Sequence, residues 1–200
     1  MESIDKQIYT KISKFKRGKI IFPEDFMLSG SQDAIRQALH RLVKKSVLTR
    51  LAPGIFLYPK LDKELGMLNP SIDEIANAIA KRDKARIIPT GIQAMNSLGL
   101  STQVPMKIVY LTDGTPRTIK LGKRTIRFKK TTPKNLTAKS RICELVIQAL
   151  RIIGRNNVTQ DQLNRINRVL ANESQDTLIH DSRLAPAWIG KIMLETLKSE

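Results

Sequence analysis

Aromatic residues are scarce in this chain. They make up 4% of its 200 residues, with a single Trp. Sites for single-stranded nucleic acid need rings on which bases can stack, so the scarcity argues against a single-strand binder. Cysteine is rarer still. Cys143 stands alone, which excludes an internal disulfide framework, and its place on an apolar helical pattern marks it as a core residue. The only histidines are His40 and His180, and neither has ligating neighbours, so no zinc site is expected. No apolar run is long enough to span a bilayer. Met1 to Thr10 has no signal-peptide core. Gly-rich phosphate loops and a nucleophile elbow are also missing. The acidic pairs Glu24-Asp25 and Asp73-Glu74 fall at helix starts, where they complement the helix dipole. These absences point to a cytoplasmic, non-enzymatic protein that needs no cofactor and does not enter a membrane. A two-metal nuclease stays open at this point, because its carboxylates need not be close in sequence.

What the chain has in excess is positive charge. Lys and Arg number 35 against 18 Asp and Glu, for a net charge of +17 and a pI near 10.3. Such a field attracts polyanions, above all phosphate backbones. The excess is concentrated before Leu136; after Thr137 the two signs nearly balance. Apolar residues make up 41%, enough for a packed core.

Periodicity divides the chain into three segments, 1–61, 70–136 and 137–200, and predicts an α+β protein. In the first, Ile4, Ile8, Ile12 and Phe15 recur at helical spacing. Lys19-Ile20-Ile21-Phe22 reads as a short strand. Pro23 opens a brief helix through Leu28, and Ser29-Gly30 is a turn. A strong helix follows, carrying Ile35, Ala38, Leu39, Leu42 and Val43, with Ser29 and Ser31 as rival N-caps. Val47–Leu51 and Ile55–Tyr58 form a hairpin about Pro53-Gly54. Helix, strand, helix, turn, helix, hairpin is the order of a winged helix-turn-helix. Lys60 to Pro70 reads as a linker. The second segment is a small basic α/β unit: a helix capped by Ser71, a strand at Arg86–Ile88, a helix capped by Thr90, a strand at Lys107–Leu111, and a hairpin about Gly122-Lys123. The third is a helical tail, with a helix through Ile142–Ile153, a second behind the capping box Thr159–Gln162, and a third from Pro186.

The outer face of the helix after Ser31 carries the main candidate site. Arg36, Gln37, His40 and Arg41 suit base edges, because Arg forks onto guanine and Gln pairs with adenine. Lys44 and Lys45, farther along, suit phosphates. Ser31 and the free N–H groups at the helix start can hold another phosphate, and Gln32 stands beside them as a further DNA-binding candidate. Arg50, on the wing, can enter a narrow minor groove. The densest basic run is Arg117, Lys120, Lys123, Arg124, Arg127, Lys129 and Lys130. On a hairpin it presents one positive face to flanking nucleic acid or an acidic partner. Its alternative reading is a charged edge that blocks strand-to-strand aggregation.

Two further stretches carry a resemblance. The first is Ala38 to Lys45 followed by Leu48-Thr49-Arg50-Leu51-Ala52-Pro53-Gly54-Ile55-Phe56-Leu57-Tyr58-Pro59. The second is Pro89-Thr90-Gly91, Ala94, Asn96, Leu98-Gly99-Leu100, Tyr110 to Gly114 and Arg117-Thr118-Ile119. Over roughly Met1 to Leu136 the chain resembles type IV toxin–antitoxin antitoxins of the abortive infection (AbiE) kind. The resemblance implies that the winged domain represses its own operon by binding inverted repeats in double-stranded DNA. It also implies that the rest of the chain counters a nucleotidyltransferase-type toxin without tight binding. The alternatives are a winged-helix regulator with no toxin partner and a nucleic-acid enzyme such as a nuclease. The sequence leaves the oligomeric state open.

Overall fold

Ile4, Ile8 and Ile12 recur every fourth residue, and helix α1 (Ile4–Ser13) buries the last two completely. The computed structural model describes residues 3–198. Strand β1 (Ile20–Ile21) follows, then a 3-10 turn over Pro23–Ser29 kinked at the buried Phe26. Asp25 stabilises its start by accepting from the Phe22 N–H at 2.9 Å. Helix α2 (Gln32–Lys44) is capped by Ser31, whose hydroxyl accepts from the Ala34 N–H. Ser31, rather than Ser29, is therefore the N-cap. Strands β2 (Thr49–Ala52) and β3 (Ile55–Leu57) form a hairpin with a register shift between Arg50 and Ala52. Its turn needs Gly54, at φ +71, in the left-handed region that favours glycine. β3 pairs antiparallel with both β1 and β2, giving the order β1-β3-β2. Ile8, Ile12, Ile21, Phe26, Ile35 and Leu39 join in one core.

The stretch from Lys60 to Pro70 is not a plain linker. It contains a second hairpin, β4 (Lys60–Asp62) and β5 (Gly66–Leu68). The Asp62 carboxylate accepts from the N–H groups of Glu64 and Leu65 at 2.9 and 3.0 Å and so holds the turn. Those bonds pull its carboxyl below the usual range. The Thr49 hydroxyl reaches the Met67 sulfur at 3.5 Å, so this hairpin lies beside β2.

The chain divides into two compact units, Met1–Ala78 and Ile79–Glu200. Helix α3 (Ile72–Arg82) runs through the division. At its start the Ser71 hydroxyl accepts from the Glu74 N–H and the Glu74 carboxylate accepts from the Ser71 N–H, a reciprocal cap.

The second unit holds a four-stranded sheet of β6 (Ile87–Pro89), β7 (Lys107–Thr112), β8 (Arg117–Leu121) and β9 (Arg124–Lys130). The order is β6-β7-β9-β8, with β7 and β9 parallel and the other pairs antiparallel. Helix α4 (Ile92–Ser97) starts from Gly91. Thr90, expected as its cap, instead donates its hydroxyl to the Val109 carbonyl. Helices α5 (Arg141–Ile153), α6 (Gln160–Leu170), α7 (Gln175–Ser182) and α8 (Ala187–Glu195) complete the unit.

The helices from Thr137 onward are not an appended tail. Ala94 and Leu98 share one core with Cys143, Val146, Leu150, Ile166, Leu178 and Met193. The Arg141 guanidinium of α5 donates to the Ile87 carbonyl of β6, and Arg86, just before β6, donates to the Leu136 carbonyl ahead of α5, so the sheet edge is tied to α5 and to the segment leading into it. The second and third sequence segments therefore build a single unit around one core. Gly190 is required for the approach of α8 to α7, because a Cβ there would stand 2.8 Å from the Ser182 carbonyl oxygen. The protein is a mixed α+β chain. Among the described residues no helix is long and apolar enough to cross a membrane.

Candidate nucleic-acid interface

Helix α2 separates its residues cleanly by face. Ile35, Ala38, Leu39 and Leu42 are buried, while Ser31, Gln32, Arg36, Gln37, His40, Arg41 and Lys44 are all exposed. At about 100° per residue, Gln32 through Arg41 cover one half-turn of the cylinder, with Arg36, His40 and Lys44 in a row along it. The helix is held rigidly because its apolar half is locked into the core of the first unit. The polar half faces solvent.

Two of these residues have internal partners. The Arg41 guanidinium makes a bidentate pair with Asp5 of α1 at 2.7 and 2.6 Å. That hydrogen-bonded pair holds the Asp5 carboxyl below its usual range. Arg41 thus ties α1 to α2, and the structure does not leave it free beside the others. Arg36 lies 3.5 Å from Asp33, both exposed, a contact too weak to hold it from a partner. Arg50 is exposed on β2 near the hairpin tip. The β4–β5 hairpin adds exposed Lys60 and Lys63, which the linker reading overlooked. No short-range signal marked that hairpin beyond Gly66 and the Asp62 turn.

In the second unit, the register of the basic run sorts its members. Thr118 pairs with Arg127 and Lys120 with Thr125, so Lys120 and Arg127 share the exposed face of the sheet. Ile119 and Leu121 point the other way and are half-buried. Lys123 and Arg124 are exposed at the turn, and Lys129 is exposed farther along β9. Arg117 is the exception. It stands opposite the buried Phe128, packs its guanidinium over that ring, and is ion-paired with Asp83. Its charge serves the fold. Lys107 comes onto the exposed face opposite Thr125. The sequence could not reveal this neighbour, because it depends on the parallel pairing of β7 with β9.

Cys143 and Asp181 are both placed inside the second unit. Cys143 is fully buried, and desolvation pushes its thiol up to about 12, so it is inert. Asp181, also fully buried, accepts from the N–H groups of Lys139 and Ser140. Among the described residues no group of three or more His, Cys, Asp or Glu is placed to hold a metal ion.

The Glu144 carboxyl is strongly shifted. Burial raises it from 4.5 to about 7; Arg141, at 3.8 Å, offsets this only in part, and Asp181 adds to it. An acid raised on folding favours the folded state below its unfolded pKa and loses that advantage as pH rises through its folded pKa. The second unit should therefore lose stability between about pH 4.5 and 7 from this group. Glu144→Gln, which mimics the protonated form, is expected to raise the melting temperature at pH 8 by roughly 3–8 °C. At pH 4.5 it should change little. Thermal melts of both proteins at the two pH values check this.

The two units and the basic face define a mixed α+β protein that carries an exposed polar helix in one unit and a basic sheet in the other. The chain belongs to a family of unknown function, DUF6088, whose model matches residues 7–178. That match spans both units. No curated protein matches the chain in sequence.

Proposed function

We propose that the first unit is a winged helix-turn-helix that binds operator DNA, and that the protein is a cytoplasmic antitoxin and autorepressor of the type IV abortive-infection kind. The observation that carries the DNA reading is the α2 face: Arg36, Gln37, His40 and Lys44 on one exposed arc, opposite a fully buried one. The sheet order β1-β3-β2, with α2 leading into the β2–β3 hairpin, agrees with a winged helix. In that arrangement α2 enters the major groove and its base-reading residues lie toward its N-terminal half. Arg36 and Gln37 meet base edges, and Lys44 meets phosphate. Ser31, Gln32 and the N–H groups of the first turn take another phosphate. Arg50 lies on the wing for the minor groove.

The charges of the β8–β9 hairpin, Lys120, Lys123, Arg124 and Arg127, contact flanking phosphates or an acidic partner. The antitoxin role is supported by the resemblance of the first two segments to abortive-infection antitoxins. Its implied counterpart is a nucleotidyltransferase-type toxin, opposed functionally rather than by tight binding. The protein is not an enzyme in this reading.

Salt dependence tests the electrostatic side. Binding to a fragment of the protein's own promoter should weaken as salt rises, with a log–log slope of roughly −0.9 per phosphate neutralised. Lys44→Ala should make that slope shallower by about one. A flat response of the unaltered protein contradicts the reading. For the antitoxin role, co-expression with a nucleotidyltransferase from the same operon should restore growth. Growth arrest unchanged by the protein would remove that role and leave a repressor alone.

A further inference from the structure

The second unit contains an open cavity of about 780 Å³ between its sheet and α5. We infer that this cavity binds a phosphorylated ligand of nucleotide size, a site separate from the α2 face. Val109 and Leu111 form its apolar floor from β7. The β7–β9 register sets Lys129 directly opposite Leu111, on the same face of the sheet. From the other side α5 contributes Gln148 and Arg151, three residues apart and hence on one face of the helix. Lys130 completes the rim.

Gln148 carries the argument. It is only 6% exposed and sits within the apolar run of α5, yet lines this cavity. Its side-chain amide makes no hydrogen bond to any described residue. The amide is not sealed off from the cavity, so a group that enters can take up its unused donor and acceptor capacity. An amide both donates and accepts, as a nucleobase edge or ribose requires. Lys129, Lys130 and Arg151 form no ion pair among the described residues and supply the charge that a phosphate needs. The volume lies in the ordinary range for small-molecule sites. The ligand is either a free nucleotide or the phosphorylated end of a strand, which share this chemistry.

Calorimetric titration of the full-length protein separates these from general attraction to a basic surface. The probes are ribonucleoside mono- and triphosphates, inorganic phosphate, and a 5′-phosphorylated single-stranded hexamer. At least one nucleotide or the hexamer should bind saturably, at one site per chain. Arg151→Gln should weaken that binding about tenfold, and the uncharged change Gln148→Leu about fivefold. Lys191→Gln, which removes an equal charge from an exposed position of α8 outside the cavity lining, should leave it unchanged. Tighter binding of mononucleotides assigns the cavity to a free nucleotide, and tighter binding of the hexamer to a strand end. Saturable binding of none of the probes overturns the inference. So does binding that ignores both Gln148→Leu and Arg151→Gln, or that falls equally with Lys191→Gln. Because Arg151 is exposed, its substitution keeps the test valid if Gln148→Leu impairs folding.

Discussion

Arg36→Ala is expected to weaken binding to the operator by roughly 5- to 150-fold, the equivalent of about 1–3 kcal/mol. The loss on random DNA should be smaller. Gln37→Ala should behave in the same way. The reason lies in what each residue touches. Both stand on the exposed arc of α2, in its N-terminal half, which under the proposed winged-helix reading faces the groove. Arg36 gives up only an exposed contact with Asp33 in order to bind. A bidentate contact to a base edge is lost completely on the right sequence and was never made on the wrong one. Equal losses on both DNAs, measured by fluorescence anisotropy at one fixed salt concentration, would assign these residues to phosphate and remove the base-reading claim.

Asp181→Ala is expected to be among the most destabilising single changes in the second unit, at about 3–5 kcal/mol. The Asp181 carboxylate has no exposure to solvent. It accepts from the Lys139 and Ser140 N–H groups at 2.9 and 3.0 Å, and His180 Nδ1 lies 2.7 Å away. The Ser140 hydroxyl in turn accepts from the N–H groups of Ile142 and Cys143, which caps α5. Deleting the carboxylate strands the backbone donors that lead into the helix at the centre of the core. Denaturant unfolding should show the loss as a lowered midpoint. A change under about 1 kcal/mol would mean that water or a shifted loop replaces the carboxylate without difficulty.

Much of the first unit was legible because its signals are local. The apolar spacing of Ile4, Ile8 and Ile12 located α1, and that of Ile35, Leu39 and Leu42 located α2 together with its exposed arc. Pro53-Gly54 located the hairpin turn. The features that escaped depend on contacts remote in sequence. Asp5 and Arg41 lie on different helices, so nothing in the α2 pattern marked Arg41 as already paired. Arg117 looked like one more member of a basic run, and only the approach of Asp83 and Phe128 distinguishes it. Helix α7 escaped for another reason. Gln175–Ser182 carries a weak apolar stripe, with Leu178 its one buried large apolar residue, so packing rather than amphipathicity holds it. The boundary expected near Leu136 failed because Ala94 and Leu98 bury against α5 rather than closing a separate core.

The most direct test of the central claim is a competition between two DNA duplexes of equal length for the full-length protein at physiological salt. One is the promoter of its own operon, and the other has the same composition in scrambled order. The promoter is expected to compete at least a thousandfold better, roughly the lower bound for specific over non-specific binding, and Arg36→Ala to erode this preference. Equal competition by the two duplexes would contradict it, leaving the charge of +17 as a general attraction to polyanions and α2 as a packing helix with a solvated face.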